Sequence, residues 1–336
     1  MRFLLLAALA VSLLAPTGAA AESNGVVAFF DTGINPYHQT YRDTSPRAQQ
    51  HPSTYLPSFP KDAEALHLTF TAPDYISAVQ ADCERVWKKI VPGKLYWIPG
   101  TKIVGAISFM VGDLKTACDG EAPVATRILD TDGHGTMVSS RGASREYGAC
   151  RDCLIVAAQW SGRLGARDEA LTAMRWTAAN RHWLDAQSHS WGPIVPAWDP
   201  ANAAAAGGLG LTGTDPELAS VVEMTSQRNL AFWASGNGVA FRLGVLGHPT
   251  LLAPHLTPSA IAVGGHDSGQ VTTWPGFSPH LVSDACASWA APPDEMEKSD
   301  ESLGSGTSGA TPYVAGGAVR ILKDARTILG DPRVGV

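Results

Sequence analysis

Short runs of apolar and β-branched residues recur along this chain: Val26 to Phe30, Ile103 to Phe109, Leu154 to Gln159, Leu230 to Ala234 and Ile261 to Gly264. They run as continuous apolar blocks, where a half-solvated strand alternates polar with apolar residues, so each predicts a strand covered on both faces. Helical patterns lie between several of them. From about Asp168 to Arg181, Leu171, Met174 and Ala178 fall at helix spacing. Asp215-Pro216-Glu217 offers an N-cap followed by proline at the first helical position, for a helix ending near Asn229. After Pro312, the apolar run Val314 to Leu322 predicts a further helix with the proline in its first turn. Buried strands alternating with helices predict an α/β fold, a mostly parallel central sheet flanked by helices on both faces. The stretch from about Tyr37 to Pro99 breaks the alternation. Rich in proline, histidine and aromatic residues, it reads as an inserted irregular region over 37–99 with one helix from about Asp74 to Lys89.

The amino terminus changes the compartment. Met1-Arg2, the apolar run Phe3 to Leu14 and Ala19-Ala20-Ala21 have the layout of a secretory signal peptide, with cleavage near Ala20 or Ala21. The run is too short to span a hydrocarbon core, which takes about 20 helical residues. A secreted, extracellular protein is therefore expected, with residues 22–336 forming one domain. In an oxidising compartment the five cysteines, Cys83, Cys118, Cys150, Cys153 and Cys286, suit two disulfides and a spare thiol. Cys83 with Cys118 and Cys150 with Cys153 is the preferred pairing, and others stay open. Read instead as a redox or metal half-site, Cys150-x-x-Cys153 has no second half at ligand spacing. The net charge of −6 becomes −7 once Arg2 is removed, and no lysine or arginine block interrupts the chain. That pattern argues against a nucleic-acid partner, and against a membrane once the signal is gone. A monomer is expected.

Three strings carry chemistry. Asp31-Thr32-Gly33 ends the first apolar run, Gly133-His134-Gly135-Thr136 precedes a short helical pattern, and Gly306-Thr307-Ser308-Gly309-Ala310-Thr311-Pro312 opens the last helix. Serine is a weak nucleophile at its free pKa. It needs a base within reach, and the base needs an acceptor that fixes its tautomer and stabilises the imidazolium. Ser308, His134 and Asp31 can fill those roles, with Asp31 at the carboxyl end of a parallel strand, where α/β sheets place their sites. Each string alone is weak, and Gly-Thr-Ser-Gly in isolation is more often a turn.

Together, and in this order, the three strings resemble the aspartate, histidine and serine motifs of the subtilisin-like serine proteases, the subtilases. Two further strings match: Ala234-Ser235-Gly236-Asn237 resembles the segment supplying the oxyanion-hole asparagine, here Asn237, and Ser190-Trp191-Gly192 resembles the substrate-pairing edge strand. The resemblance covers about Val26 to Leu322 outside the insertion. It implies a serine endopeptidase acting on a protein or peptide substrate, with Asp31, His134 and Ser308 catalytic. Ser190, Trp191 and Gly192 would face Ala234, Ser235 and Gly236 across the bound strand. No cofactor is expected. Structural calcium, frequent in the family, finds no identifiable acidic loop here.

Some positions depart from the family's habit. Gly309 stands where methionine is common and Tyr313 where histidine is, and Asp31 comes only ten residues after Ala21, so no folding-assistant propeptide is expected in that interval. Asp130 and Asp132 are expected to shape the loop before His134, and His189 to point away from the face that carries Ser190. The alternative is a catalytically silent subtilase-like protein that binds peptide without turnover. A glutamate base of the sedolisin kind fits poorly, because the histidine motif and Asn237 are both present.

Overall fold

The first strand sets the layering. In the computed structural model β1 (Val26–Asp31) is buried at every position. Val27 and Phe29 enter one apolar cluster, and Val26, Ala28 and Phe30 enter another. This is the two-faced burial that a continuous apolar run requires. The structure describes residues 24–111, 126–130, 133–160, 167–191, 194–196, 220, 221, 224, 229–234, 250–252, 261–265, 282–284 and 307–330.

The chain continues through β2 (Glu64–Ala65), α1 (Tyr75–Asp82), β3 (Tyr96–Trp97), β4 (Ile103–Ser108), α2 (His134–Ala143), β5 (Leu154–Gln159) and α3 (Arg167–Asn180). It then forms β6 (Ala186–His189), β7 (Ile194–Pro196), β8 (Leu230–Ala234), β9 (Thr250–Leu252), β10 (Ile261–Gly265), β11 (Val282–Asp284) and α4 (Thr307–Leu329). Nine strands form one sheet in the order β11-β10-β8-β6-β1-β5-β4-β3-β2, and β7 pairs with β9 in a separate two-stranded ribbon. Every pairing in the large sheet is parallel except β3 with β4. The predicted α/β architecture is present.

One face of the sheet is covered by α2 and α4, which contribute Ala143, Ala310, Ala315 and Val319 to the cluster around Val27 and Phe29. Ala173 of α3 packs on the opposite face with Trp183 and Leu184. The excursion serves both layers, Leu56, Phe59 and Ala63 on the α3 side and Leu66, Val79 and Trp87 on the other.

Several boundaries differ from the sequence reading. The excursion adds β2 and β3 to the sheet edge instead of remaining irregular throughout. Its helix stops at Asp82, and Trp87–Lys89 form a separate 3-10 turn. The break follows from Asp82, whose buried carboxylate accepts bonds from Tyr37 Oη at 2.8 Å, Thr69 N at 2.7 Å and Thr69 Oγ1 at 2.8 Å. Both partners precede α1 in the chain, and they fix Asp82 at the point where the helix ends. Pro312 sits inside α4 rather than in its first turn, because α4 begins at Thr307. Helical backbone at Ser220, Val221 and Met224 falls within the helix expected after Asp215, the rest of which lies outside the described residues.

Strand β6 carried no apolar signal. Its sequence is Ala-Gln-Ser-His, yet it is buried throughout and lies between β1 and β8. Among the cysteines, Cys150 and Cys153 form a disulfide with Cα atoms 5.3 Å apart. Cys83 is also disulfide-bonded. Cys118 and Cys286 lie outside the described residues, as do the signal segment 1–21 and Asp132.

Candidate active site

Strand order places the candidate site. Strands β5 and β4 flank β1 on one side and β6, β8 and β10 on the other, so the chain changes direction across the sheet at β1. A crevice opens at such a switch point, beyond the carboxyl ends of the strands. Asp31 is the last residue of β1, and it is only 4 % exposed.

The Asp31 turn and the His134 turn are fitted to one another through their glycines. Gly33 has φ +126°, and a Cβ there would lie 2.6 Å from the Ile128 carbonyl oxygen. A Cβ on Gly135 would lie 2.2 Å from the Gly33 carbonyl oxygen, so only glycine lets these two backbones meet. With the backbones in register, His134 at the start of α2 places Nδ1 2.7 Å from Asp31 Oδ1. The same oxygen accepts the Thr32 amide at 2.8 Å. Carboxylate and imidazole are thus paired, with the ring about one-third exposed at 32 %.

Asp130 builds the scaffold under this pair. Its Oδ1 accepts Thr32 Oγ1 at 2.9 Å and Gly133 N at 2.9 Å, and its Oδ2 accepts Thr136 N at 2.6 Å and Thr136 Oγ1 at 2.7 Å. Thr32 Oγ1 in turn accepts Gly135 N at 2.8 Å. The carboxylate caps α2 from outside the helix, because the N-cap position itself is Gly133, in the left-handed conformation. The Tyr75 hydroxyl donates to the Asp130 carbonyl at 3.1 Å, tying the excursion to the histidine turn. Gln159 pairs in register with Asp31 across β1 and β5. Its amide donates to the carbonyls of Thr32, Thr126 and Leu129 and accepts Ile128 N, which stitches the loop before His134 to the turn after Asp31. Sequence reasoning assigned Gln159 no role. The available signal was a lone polar side chain ending an apolar strand level with Asp31.

Ser308 is the second residue of α4, and α4 crosses α2 at a glycine contact. A Cβ on Gly316 would lie 2.2 Å from the Gly142 carbonyl oxygen, and one on Gly142 would lie 2.4 Å from the Phe29 ring. That three-way contact seats α4 against the carboxyl-terminal part of α2 and the middle of β1, and the start of α4 lies against Ser190, just past β6. Ser308 Oγ donates to the Ser190 carbonyl at 3.3 Å, and Ser190 Oγ donates to the Ser308 carbonyl at 2.9 Å. The described hydrogen bonds include none between Ser308 Oγ and His134.

Ser190 and Trp191 follow the end of β6 rather than forming a strand of their own. His189 points away from the Ser190 contact into an aromatic stack, 3.9 Å from the Trp233 ring and 4.7 Å from Phe30. Burial pushes its pKa well below the ordinary value, so the ring is neutral. Trp191 packs on Trp160 at 4.1 Å and Trp233 at 5.1 Å between ring centroids. Ala234 ends β8 and is buried. Gly192, Ser235, Gly236 and Asn237 lie outside the described residues. Among the described residues, Cys150, Asp152 and Cys153 group at metal-ligand distance, and the two cysteines are already bonded to each other. No described helix is long and apolar enough to cross a membrane.

Three solved structures are similar over most of the chain. The prenylagaramide maturation protease PagA is 14% identical, covering 93% of this chain and 79% of that one at a TM-score of 0.46. The epidermin leader peptide processing serine protease EpiP from Staphylococcus aureus is 14% identical, covering 92% and 68% at 0.44. The nisin leader peptidase NisP from Lactococcus lactis is 13% identical, covering 92% and 80% at 0.49. A comparison with curated proteins found no match. At such TM-scores the likenesses add nothing to the assignment, which rests on sequence: the family model of the subtilase family matches residues 22–331. The chain therefore belongs to the subtilase family and is a serine-type peptidase.

Proposed function

We propose that the protein is a secreted endopeptidase that cleaves peptide bonds through an acyl-enzyme on Ser308. The observation that carries this reading is the 2.7 Å contact between Asp31 Oδ1 and His134 Nδ1, with Ser308 supported separately by its bonds to Ser190 just past the neighbouring strand β6. With Nδ1 donating to Asp31, Nε2 is the nitrogen that takes a proton. The hydroxyl of Ser308 is held on Ser190 by a long bond of 3.3 Å, which costs little to exchange for His134.

In this mechanism Ser308 Oγ attacks the scissile carbonyl carbon while its proton passes to His134 Nε2. The tetrahedral oxyanion is held by the Ser308 backbone N–H, at the positive end of α4, and by the Asn237 amide. As the C–N bond breaks, His134 returns the proton to the leaving amine and the acyl group stays on Ser308. Water then gives a proton to His134 and attacks the ester, and the second collapse releases the carboxylic product and restores the Ser308 hydroxyl. Substrate lies extended between Ser190 to Gly192 and Ala234 to Gly236, adding a strand.

Labelling by a fluorophosphonate probe tests the reading. Folded wild-type protein is expected to be labelled at one site and Ser308→Ala not at all, whereas a folded wild-type protein that resists the probe overturns the proposal. Asn237→Ala is expected to lower kcat on the order of 10²–10³-fold.

A further inference from the structure

Within α4 the carbonyl of each residue accepts the amide of the residue four positions on. For Ser308 that residue is Pro312, inside the helix, which has no amide hydrogen and whose ring crowds the carbonyl it faces. The one backbone acceptor orphaned by the proline is thus the carbonyl of the proposed nucleophile itself. It is not left without a donor. Ser190 Oγ, on a residue only 7 % exposed just past β6, donates to it at 2.9 Å.

We propose that Ser190 is a positioning residue whose hydroxyl replaces the amide hydrogen that Pro312 removes, fixing the Ser308 backbone against the end of β6. This inference rests on the reading of Ser308 as nucleophile and gives Ser190 a role besides contact with substrate. The hydroxyl is the part that matters. A residue that only met substrate through its main chain would serve as well with alanine, and a residue that only filled space would have no dependence on Pro312. The arrangement also accounts for the return bond from Ser308 Oγ to the Ser190 carbonyl at 3.3 Å, since the two residues face each other through both their hydroxyls and their carbonyls.

The test is a double-mutant cycle on the full-length secreted chain, using Ser190→Ala, Pro312→Ala and the pair. It is read by the rate of fluorophosphonate labelling, by kcat and KM on a peptide, and by Tm. Ser190→Ala is expected to slow labelling and lower kcat on the order of 10–100-fold with KM changed by less than about threefold, and Ser190→Thr to recover most of the loss. In the Pro312→Ala background, where the helix regains its own amide donor, Ser190→Ala is expected to cost less than about threefold in labelling and to lower Tm less than it does beside proline. Equal loss in both backgrounds, or a loss confined to KM, overturns the proposal. Wild-type protein that is not labelled overturns the reading of Ser308 instead. The Tm cycle still decides the Ser190 to Pro312 relation in that case, and if Ser190→Ala alone does not fold, recovery of the folded state on adding Pro312→Ala supports the proposal and failure to recover it overturns the proposal.

Discussion

Asp31 holds His134 with one carboxylate oxygen, and the other, Oδ2, is buried with no hydrogen-bond partner among the described residues. In the proposed mechanism a carboxylate so sparsely solvated directs its charge at the imidazole and stabilises the cation formed during proton transfer. Asp31→Asn places an amide against Nδ1 and favours the wrong tautomer. We expect kcat to fall on the order of 10⁴-fold with Tm nearly unchanged, and a fall of less than tenfold would remove Asp31 from the mechanism. The glycines give a paired expectation. Gly135→Ala must push the Gly33 carbonyl aside from 2.2 Å, so it is expected to cost about 1–3 kcal/mol and to slow fluorophosphonate labelling as Asp31 and His134 separate. Gly317→Ala, on α4 with nothing within 4 Å of the added carbon, is expected to stabilise by about 0.5–1 kcal/mol in thermal unfolding. In the sequence Gly135 stands inside the histidine motif and Gly317 within the run that predicts the last helix. Which of them is irreplaceable depends on how closely two backbones pass, and spacing along the chain does not encode that distance.

Among the elements, α2 depends on a side chain that precedes it. Asp130 satisfies amides at Gly133 and Thr136 and orients Thr32 of the Asp31 turn and Thr136 of the histidine turn. Asp130→Ala is expected to cost about 2 kcal/mol, at the upper end for a lost cap, and to lower kcat because His134 is the first residue of the helix it releases. Thermal unfolding together with peptide hydrolysis would check both parts. The strands show what patterning can and cannot convey. Strands β1, β5 and β8 were legible because both faces are apolar, and burial on two sides leaves no room for alternation. Strand β6 was not legible, because polar side chains supply its burial: His189 fits between two aromatic rings, and Gln187 bonds both His189 Nε2 at 2.9 Å and Asn229 Oδ1 at 2.8 Å. A buried polar strand is favourable only when neighbouring strands carry the matching partners, and local sequence gives no sign of them. Helix α4 was legible from its apolar face. The meaning of Pro312 within it was not, since the compensating donor comes from a residue more than a hundred positions earlier.

For the molecule as a whole, acid sensitivity should follow from His189. Unfolded, its ring titrates near 6.5. Folded, burial between Phe30 and Trp233 depresses its pKa, so below about pH 6.5 the unfolded chain takes up a proton that the native state refuses. Stability is therefore expected to decline as pH falls through that range, and His189→Phe to make the decline shallower in urea melts between about pH 6.5 and pH 5. An unchanged slope would place the sensitivity elsewhere. The pairing of the aspartate and histidine motifs, with the serine helix packed on the same face of the sheet, was legible in outline, because motif order matched a known family. The contacts that bring them together, Gly33 on Gly135 and Gly142 on Gly316, belong to the packed layers and not to any one motif. At the far end of α4, roughly 27 Å from Ser308 at 1.5 Å per residue, Arg326 forms an ion pair with Asp185, whose other oxygen accepts the Val26 amide at 2.9 Å. Asp185 stands just ahead of β6 and Ser190 just after it, so helix and strand are buckled together at both ends. A copy shortened from its carboxyl terminus past that arginine would keep Asp31, His134 and Ser308 and still lose one buckle, so it is expected to melt at a lower temperature than the whole chain.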